Sequence, residues 1–151
     1  MKIEKIPATK KAQIAEKTKI RVAAYARVST LQDEQLHSLS AQKDYYQKYI
    51  RKNPNWEFVG IYADSGISGG SVQTRAEFQR MIADCVAGKI DLIVTKSVSR
   101  FARNTLDTLN SLQQLRQLNI GVFFERENIN SLDQNGDLLI AVLAGYAQEE
   151  S

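Results

Sequence analysis

This sequence predicts an α/β domain, a mainly parallel sheet flanked by helices, and three observations carry that prediction. The run Ile20-Arg21-Val22-Ala23-Ala24-Tyr25-Ala26-Arg27-Val28-Ser29-Thr30 reads as a strand that no strong turn former interrupts. Its apolar members fall on both faces, as in a strand with helices above and below it. The same order of strand, polar loop and helix then recurs along the chain. Finally, 151 residues with 43% hydrophobic and 25% charged side chains suit one globular domain with a full core.

Ahead of the first strand lies a basic arm, residues 1–19, that holds Lys2, Lys5, Lys10, Lys11, Lys17 and Lys19 and little apolar pattern. It reads as a flexible solvated tail, and contact with phosphate is the other use of such charges. After the strand comes a polar segment, Gln32-Asp33-Glu34-Gln35, read as a loop. Ser38 is then placed to cap a helix reaching about Lys52, with Leu39, Tyr46, Tyr49 and Ile50 as its apolar side. Asn53-Pro54-Asn55 ends that helix.

Trp56 to Ala63 reads as a second strand, followed by the loop Asp64-Ser65-Gly66-Ile67-Ser68-Gly69-Gly70, whose glycines suit mobility or the close approach of a ligand. Thr74 is expected to cap a helix containing Arg75, Phe78, Met81, Ile82 and Cys85. Gly88 releases the chain into a strand from Asp91 to Thr95. A helix over Asn104 to Leu118 follows from Leu106, Leu109, Leu112, Leu115 and Leu118. Ile120 to Phe124 is the next strand, and Glu125 to Asn135 a polar loop with room for one short edge strand. Leu138, Leu139, Val142, Leu143 and Tyr146 mark a last helix, with Asp137 where a negative charge favours a helix start. That pattern is still running at Glu150-Ser151. The expectation is a domain over 20–151, ending in the start of a long helix that continues in a longer protein.

Composition narrows the chemistry. A formal charge of +3 permits a nucleic-acid partner without indicating one. One cysteine, Cys85, excludes an intramolecular disulfide, and its place on an apolar helix face suits a buried thiol. His37 is the single histidine, which argues against Ser-His-Asp catalysis and against a zinc site. There is no P-loop and no dinucleotide fingerprint, so no cofactor is expected. Without a membrane-spanning run or a signal-peptide pattern, the simple expectation is a cytoplasmic protein with no membrane partner.

Two charged stretches sit where open α/β sheets keep their sites, at the carboxyl edge. Strand periodicity turns Tyr25, Arg27 and Ser29 to one side at the end of the first strand. An arginine beside a serine suits attack on phosphate, and it equally suits a solvated strand end. The second stretch is Thr95-Lys96-Ser97-Val98-Ser99-Arg100-Phe101-Ala102-Arg103-Asn104. Here Arg100 and Arg103 share one side of even a single helical turn. Taken alone, this stretch suits a basic solvated helix start as well as an anion site, since helix starts prefer acidic groups and two arginines there want an anionic partner. With Arg27 they can surround one phosphate with planar donors, and the phosphate reading becomes the better one.

These stretches, taken together, resemble the catalytic domain of the serine site-specific recombinases, the resolvase and invertase family, and most of all its large-serine branch. The resemblance rests on Tyr25-Ala26-Arg27-Val28-Ser29-Thr30, Ser38-Leu39-Ser40-Ala41-Gln42, Tyr62-Ala63-Asp64-Ser65-Gly66-Ile67-Ser68-Gly69, Thr74-Arg75, Ser99-Arg100-Phe101-Ala102-Arg103-Asn104 and Ala147-Gln148-Glu149-Glu150-Ser151. It implies a resolvase-like catalytic domain in which Ser29 joins covalently to the 5′ phosphate of a cut strand. Arg27, Arg100 and Arg103 would bind the phosphate and its transition state, with Tyr25, Gln42, Asp64, Arg75 and Glu150 supporting them.

The implied partners are double-stranded DNA at specific recombination sites, a homodimer and a synaptic homotetramer, with DNA-recognition domains lying downstream. Cleavage and rejoining through phosphoserine would require neither ATP nor metal. Two positions depart from the smaller resolvases: Ser99 replaces an aspartate, and Ser151 follows Glu150 where an arginine is usual. The general base stays open, as does the choice between phage integrase, transposon and cassette recombinase. The rival reading is a catalytically inactive DNA-binding accessory domain, which loss of Ser29 or of the arginines would have favoured. A small-molecule phosphatase or phosphate sensor is the third, without the acidic metal cluster or cysteine nucleophile such domains use.

Overall fold

The computed structural model describes residues 19–28, 30–65, 75–101 and 104–150, the last stretch without the side chains of residues 147, 149 and 150. Within them lie the strands β1 (Ile20–Val28), β2 (Trp56–Ser65), β3 (Leu92–Thr95), β4 (Gly121–Phe124) and β5 (Ile129–Asn130). The helices are α1 (Leu31–Leu36), α2 (Leu39–Arg51), α3 (Ala76–Val86), α4 (Val98–Phe101), α5 (Thr105–Gln117) and α6 (Gln134–Glu150). The strands form one sheet in the order β2-β1-β3-β4-β5. Every pairing is parallel except the short antiparallel β4–β5 edge.

Alternation along the strands divides the core between two faces. Ala23 and Tyr25 of β1, Ile93 of β3, and Val122 and Phe124 of β4 face a large cluster with Phe78, Met81, Phe101, Leu112 and Leu115 from α3, α4 and α5. Val22, Ala24, Leu92 and Val94 face the other way onto Tyr46 and Ile50 of α2. β1 is therefore buried on both sides, as its unbroken apolar run requires. Cys85 is buried in the larger cluster, and burial pushes its thiol up to about 12, which makes it an inert packing group.

Helix ends follow local chemistry. Ser38 caps α2, accepting from the Ala41 amide at 3.1 Å, and Asn104 caps α5, accepting from the Asp107 amide at 2.8 Å. Gly88 adopts φ 81° after α3, a left-handed turn that glycine makes without strain. At Gly136 a Cβ would run into the Ser131 and Asn130 backbone, so only glycine lets α6 start this close to the β5 turn. Thr74, the expected cap of α3, lies outside the described residues.

Two expectations shift, and the leucines of α5 divide between core and surface. The polar segment after β1 forms the helix α1 instead of a loop. β2 continues to Ser65, which makes Asp64 a strand residue. In α5 the middle leucines Leu109, Leu112 and Leu115 are buried, whereas Leu106 and Leu118 are 53% and 39% exposed. A three-residue repeat turns away from the core by about 60° per step on a 3.6-residue helix, so five leucines cannot share one face.

Candidate active site

β1 and α4 meet at the carboxyl edge of the sheet through a reciprocal clasp. Arg27 donates from Nη2 to the Ser99 carbonyl at 3.0 Å and from Nε to the Arg100 carbonyl at 3.4 Å. Arg100 returns the contact, donating from Nη1 to the Arg27 carbonyl at 2.6 Å. Each guanidinium thus ties the other residue's backbone, and two like charges are fixed side by side. Burial pulls Arg27 below its ordinary value, and the positive charges of Arg75 and Arg100 act in the same direction.

A carboxylate balances the pair. Arg100 donates from Nη1 to Asp33 Oδ2 at 2.5 Å and from Nη2 to Asp33 Oδ1 at 2.8 Å. The two side chains are only 21% and 12% exposed, and this hydrogen-bonded partner raises the Arg100 guanidinium. Asp33 owes its place to α1: Thr30 caps that helix, accepting from the Asp33 amide at 2.9 Å. Arg27, Thr30, Asp33, His37, Ser99 and Arg100 line an open depression of about 480 Å³.

A third arginine supports the clasp from beneath. Arg75 is 7% exposed, pairs with Asp107 through Nη1 at 2.9 Å, and donates from Nη2 to the Phe101 carbonyl. Its guanidinium lies 3.8 Å from the centre of the Phe78 ring. Because Phe101 closes α4, Arg75 anchors the segment that carries Arg100. Its Nε is buried and finds no hydrogen-bond partner among the described residues.

Asp64 and Tyr25 form a buried structural pair. The Tyr25 hydroxyl donates to Asp64 Oδ2 at 2.8 Å, while Asp64 accepts the amides of Glu77 and Phe78, each at 3.0 Å. From the end of β2 the carboxylate thereby caps α3 across the chain, in a place where no local side-chain cap exists. Burial is the main reason the Tyr25 hydroxyl is pushed up to about 12. Sequence periodicity aims Tyr25 at the same edge as Arg27, yet its ring is fully buried against Phe78, one layer below the depression.

Gln42 stands near the depression on α2 and donates to the His37 carbonyl at 2.7 Å. It lines an adjoining pocket of about 500 Å³ beside Tyr45, Lys96 and Arg126. There the Tyr45 and Tyr46 hydroxyls donate to the two oxygens of Glu125 at 2.6 Å and 2.7 Å. The structure brings together Arg27 and Arg100, with Arg75, Tyr25 and Asp64 in the supporting layer and Gln42 at the rim. Ser29, Arg103 and the Glu150 side chain lie outside the described residues.

Sequence reasoning missed Asp33 and Asp107. Each is the third residue of a helix whose cap is Thr30 or Asn104, and each holds one arginine of the site. The T-x-x-D and N-x-x-D spacings were the available signal. Among the described residues there is no group of three or more His, Cys, Asp or Glu side chains placed to hold a metal ion, and no helix long and apolar enough to cross a membrane.

The fold as a whole is similar to that of known proteins. The family model described as the resolvase N-terminal domain matches residues 22–151. The chain belongs to the resolvase family. A resolvase-family site-specific recombinase from Streptococcus pneumoniae is 36% identical, with a TM-score of 0.72, the match covering 87% of this chain and 88% of that one. The N-terminal catalytic domain of TP901-1 integrase is 29% identical, with a TM-score of 0.70 over 86% of this chain and 96% of that one. The C-terminal catalytic domain of ISC1926 TnpA, an IS607-like serine recombinase, is 17% identical with a TM-score of 0.56 over 70% of each chain, a likeness of fold alone. No curated protein matches. The resolvase domain therefore has the fold and family of serine-recombinase catalytic domains, an enzymatic class.

Proposed function

We propose that this resolvase domain catalyses site-specific recombination of double-stranded DNA through a 5′-phosphoserine intermediate. The Ser29 oxygen attacks the scissile phosphorus, the new Ser29–phosphate bond replaces the bond to the 3′ oxygen, and the hydroxyl proton ends on that leaving oxygen. Rejoining runs the same exchange backwards with a 3′ hydroxyl of a recombined partner. One phosphodiester is exchanged for one phosphoserine ester at each step, so the sequence needs no external energy source.

The observation that carries this reading is the Arg27–Arg100 clasp, which fixes two guanidinium groups at the edge where β1 runs out toward residue 29. Preorganised donors stabilise the charge that grows on a phosphoryl group in the transition state, and they need not reorganise as it forms. In this reading Arg103 adds a third guanidinium, with Gln42 and Glu150 as supporting residues. Arg75, Asp64 and Tyr25 hold the scaffold. A serine hydroxyl is a weak nucleophile, and nearby positive charge favours its alkoxide-like form.

The active assembly in this reading is a dimer that pairs into a tetramer. It draws support from the outer face of α6, where Leu138, Val142 and Tyr146 recur at four-residue spacing and are 64%, 46% and 57% exposed, while Leu143 on the other side is buried. Such a stripe suits a partner helix. The recombination reading is tested by Arg27→Lys and Arg100→Lys in the full chain. Lysine keeps the charge and loses the planar fork, so each variant should fold, bind DNA and cleave about 10²–10³-fold more slowly. Near-normal cleavage by both lysine variants would count against the phosphate site.

A further inference from the structure

We infer that Asp33 is a positioning residue that presents one defined edge of Arg100 to the scissile phosphate. This deepens the recombination reading and rests on it. A guanidinium carries five N–H donors. Asp33 and the Arg27 carbonyl take three of them: both hydrogens of Nη1, at 2.6 Å and 2.5 Å, and one of Nη2, at 2.8 Å. Among the described residues nothing accepts from Nε or from the remaining hydrogen of Nη2. Those two donors are parallel neighbours on one edge of the plane, the arrangement that grips two phosphate oxygens at once.

The carboxylate therefore has a use beyond neutralising charge. Its end-on grip, joined to the carbonyl, stops rotation of the guanidinium about its own axis and leaves only the side-on edge open toward the depression. Asp33 is itself held, since its amide closes the Thr30 cap and its side chain is only 12% exposed. The arrangement costs some attraction for phosphate, because a negative charge stays close to the site. Arg27, half-buried beside the pair and donating to the Ser99 and Arg100 carbonyls, adds a second positive charge to the cluster.

A rival role for the same contact is a latch, in which the carboxylate fills the phosphate's place and must leave before DNA can react. The two roles predict opposite outcomes when Asp33 is changed. Asp33→Asn removes the second acceptor and frees the guanidinium to turn. Asp33→Glu keeps the charge at the start of α1 and displaces the carboxylate by one methylene, which guards against loss of the helix in the first variant.

The test measures both variants in the full chain for DNA affinity, for the rate of cleavage of saturating bound DNA, and for the ¹⁵N response of the Arg100 Nε–H to inorganic phosphate. Positioning predicts affinity held or raised, cleavage about 10–100-fold slower, and an Nε–H response to phosphate in the wild type that weakens in both variants. Unchanged or faster cleavage, an equal or larger phosphate response in the variants, or no response in the wild type would overturn it. The recombination reading is judged separately, by whether the wild type forms a DNA adduct that requires Ser29. Its failure leaves the phosphate titration to decide the role of Asp33.

Discussion

Replacing Asp64 by alanine should cost far more stability than removing the tyrosine hydroxyl it holds. Asp64 is 7% exposed and accepts three hydrogen bonds, from Tyr25 at 2.8 Å and from the Glu77 and Phe78 amides at 3.0 Å each. A helix cap is worth about 1 kcal/mol, a bond to a charged group about 1.5–3, and each donor left buried without a partner costs about 1–3. These terms overlap, so the expected loss for Asp64→Ala is about 3–5 kcal/mol. Tyr25→Phe removes one bond and leaves the carboxylate on both amides, a loss of about 1 kcal/mol. For a domain of 151 residues each kcal/mol moves Tm by about 2–4 °C, which gives a fall of about 6–20 °C for the first variant and about 2–4 °C for the second. Urea unfolding with calorimetry reads both, and the double variant should be less destabilised than the sum because the two groups share a bond. Equal losses in the two single variants would refute the view of Asp64 as the cap of α3.

Two further outcomes follow from particular contacts. Asp91 accepts the Arg21 amide and Nε at 2.9 Å each and Nη2 at 3.0 Å, and this partner holds its carboxyl below the usual carboxylate range. The stability it contributes is present above the unfolded value of about 4 and is lost as pH falls through the depressed folded value. Both side chains are about two-fifths exposed, so solvent screening limits the effect to about 1 kcal/mol. Asp91→Asn should flatten that part of the acid unfolding curve, and an unchanged curve would contradict the pairing. On the outer face of α6, Val142→Glu should weaken self-association in sedimentation experiments while shifting stability by less than about 0.5 kcal/mol. Self-association unaffected by the charge would remove this face from the proposed interface.

Elements whose signals are local were legible in the sequence. The two-sided apolar run of β1, the Ser38 cap and the short edge strand after Glu125 all appear as read, because periodicity and capping act over a few residues. α1 was hidden because none of its residues is buried, so it has no apolar stripe to detect. The site divides in the same way. Arg27 and Arg100 stood out as basic residues near strand ends, but the clasp joining them spans 73 positions and depends on the β1–β3 pairing. Tyr25 and Asp64 stood out in the sequence as candidate site residues, whereas the Tyr25–Asp64 bond and the capping of α3 by Asp64 required the sheet to bring β1 and β2 into register. The apolar residues of α6 divide between two faces, Leu143 inward and Leu138, Val142 and Tyr146 outward, a division that needs the packing partner α5.

The most direct test is chemical. The full chain, incubated with its target DNA and denatured, should yield a covalent protein–DNA adduct whose bond runs from Ser29 to a 5′ phosphate, located by peptide mass analysis. Ser29→Ala should bind the same DNA and give no adduct. An adduct formed by the alanine variant, or one mapped to a different residue, would contradict serine-mediated cleavage at the end of β1.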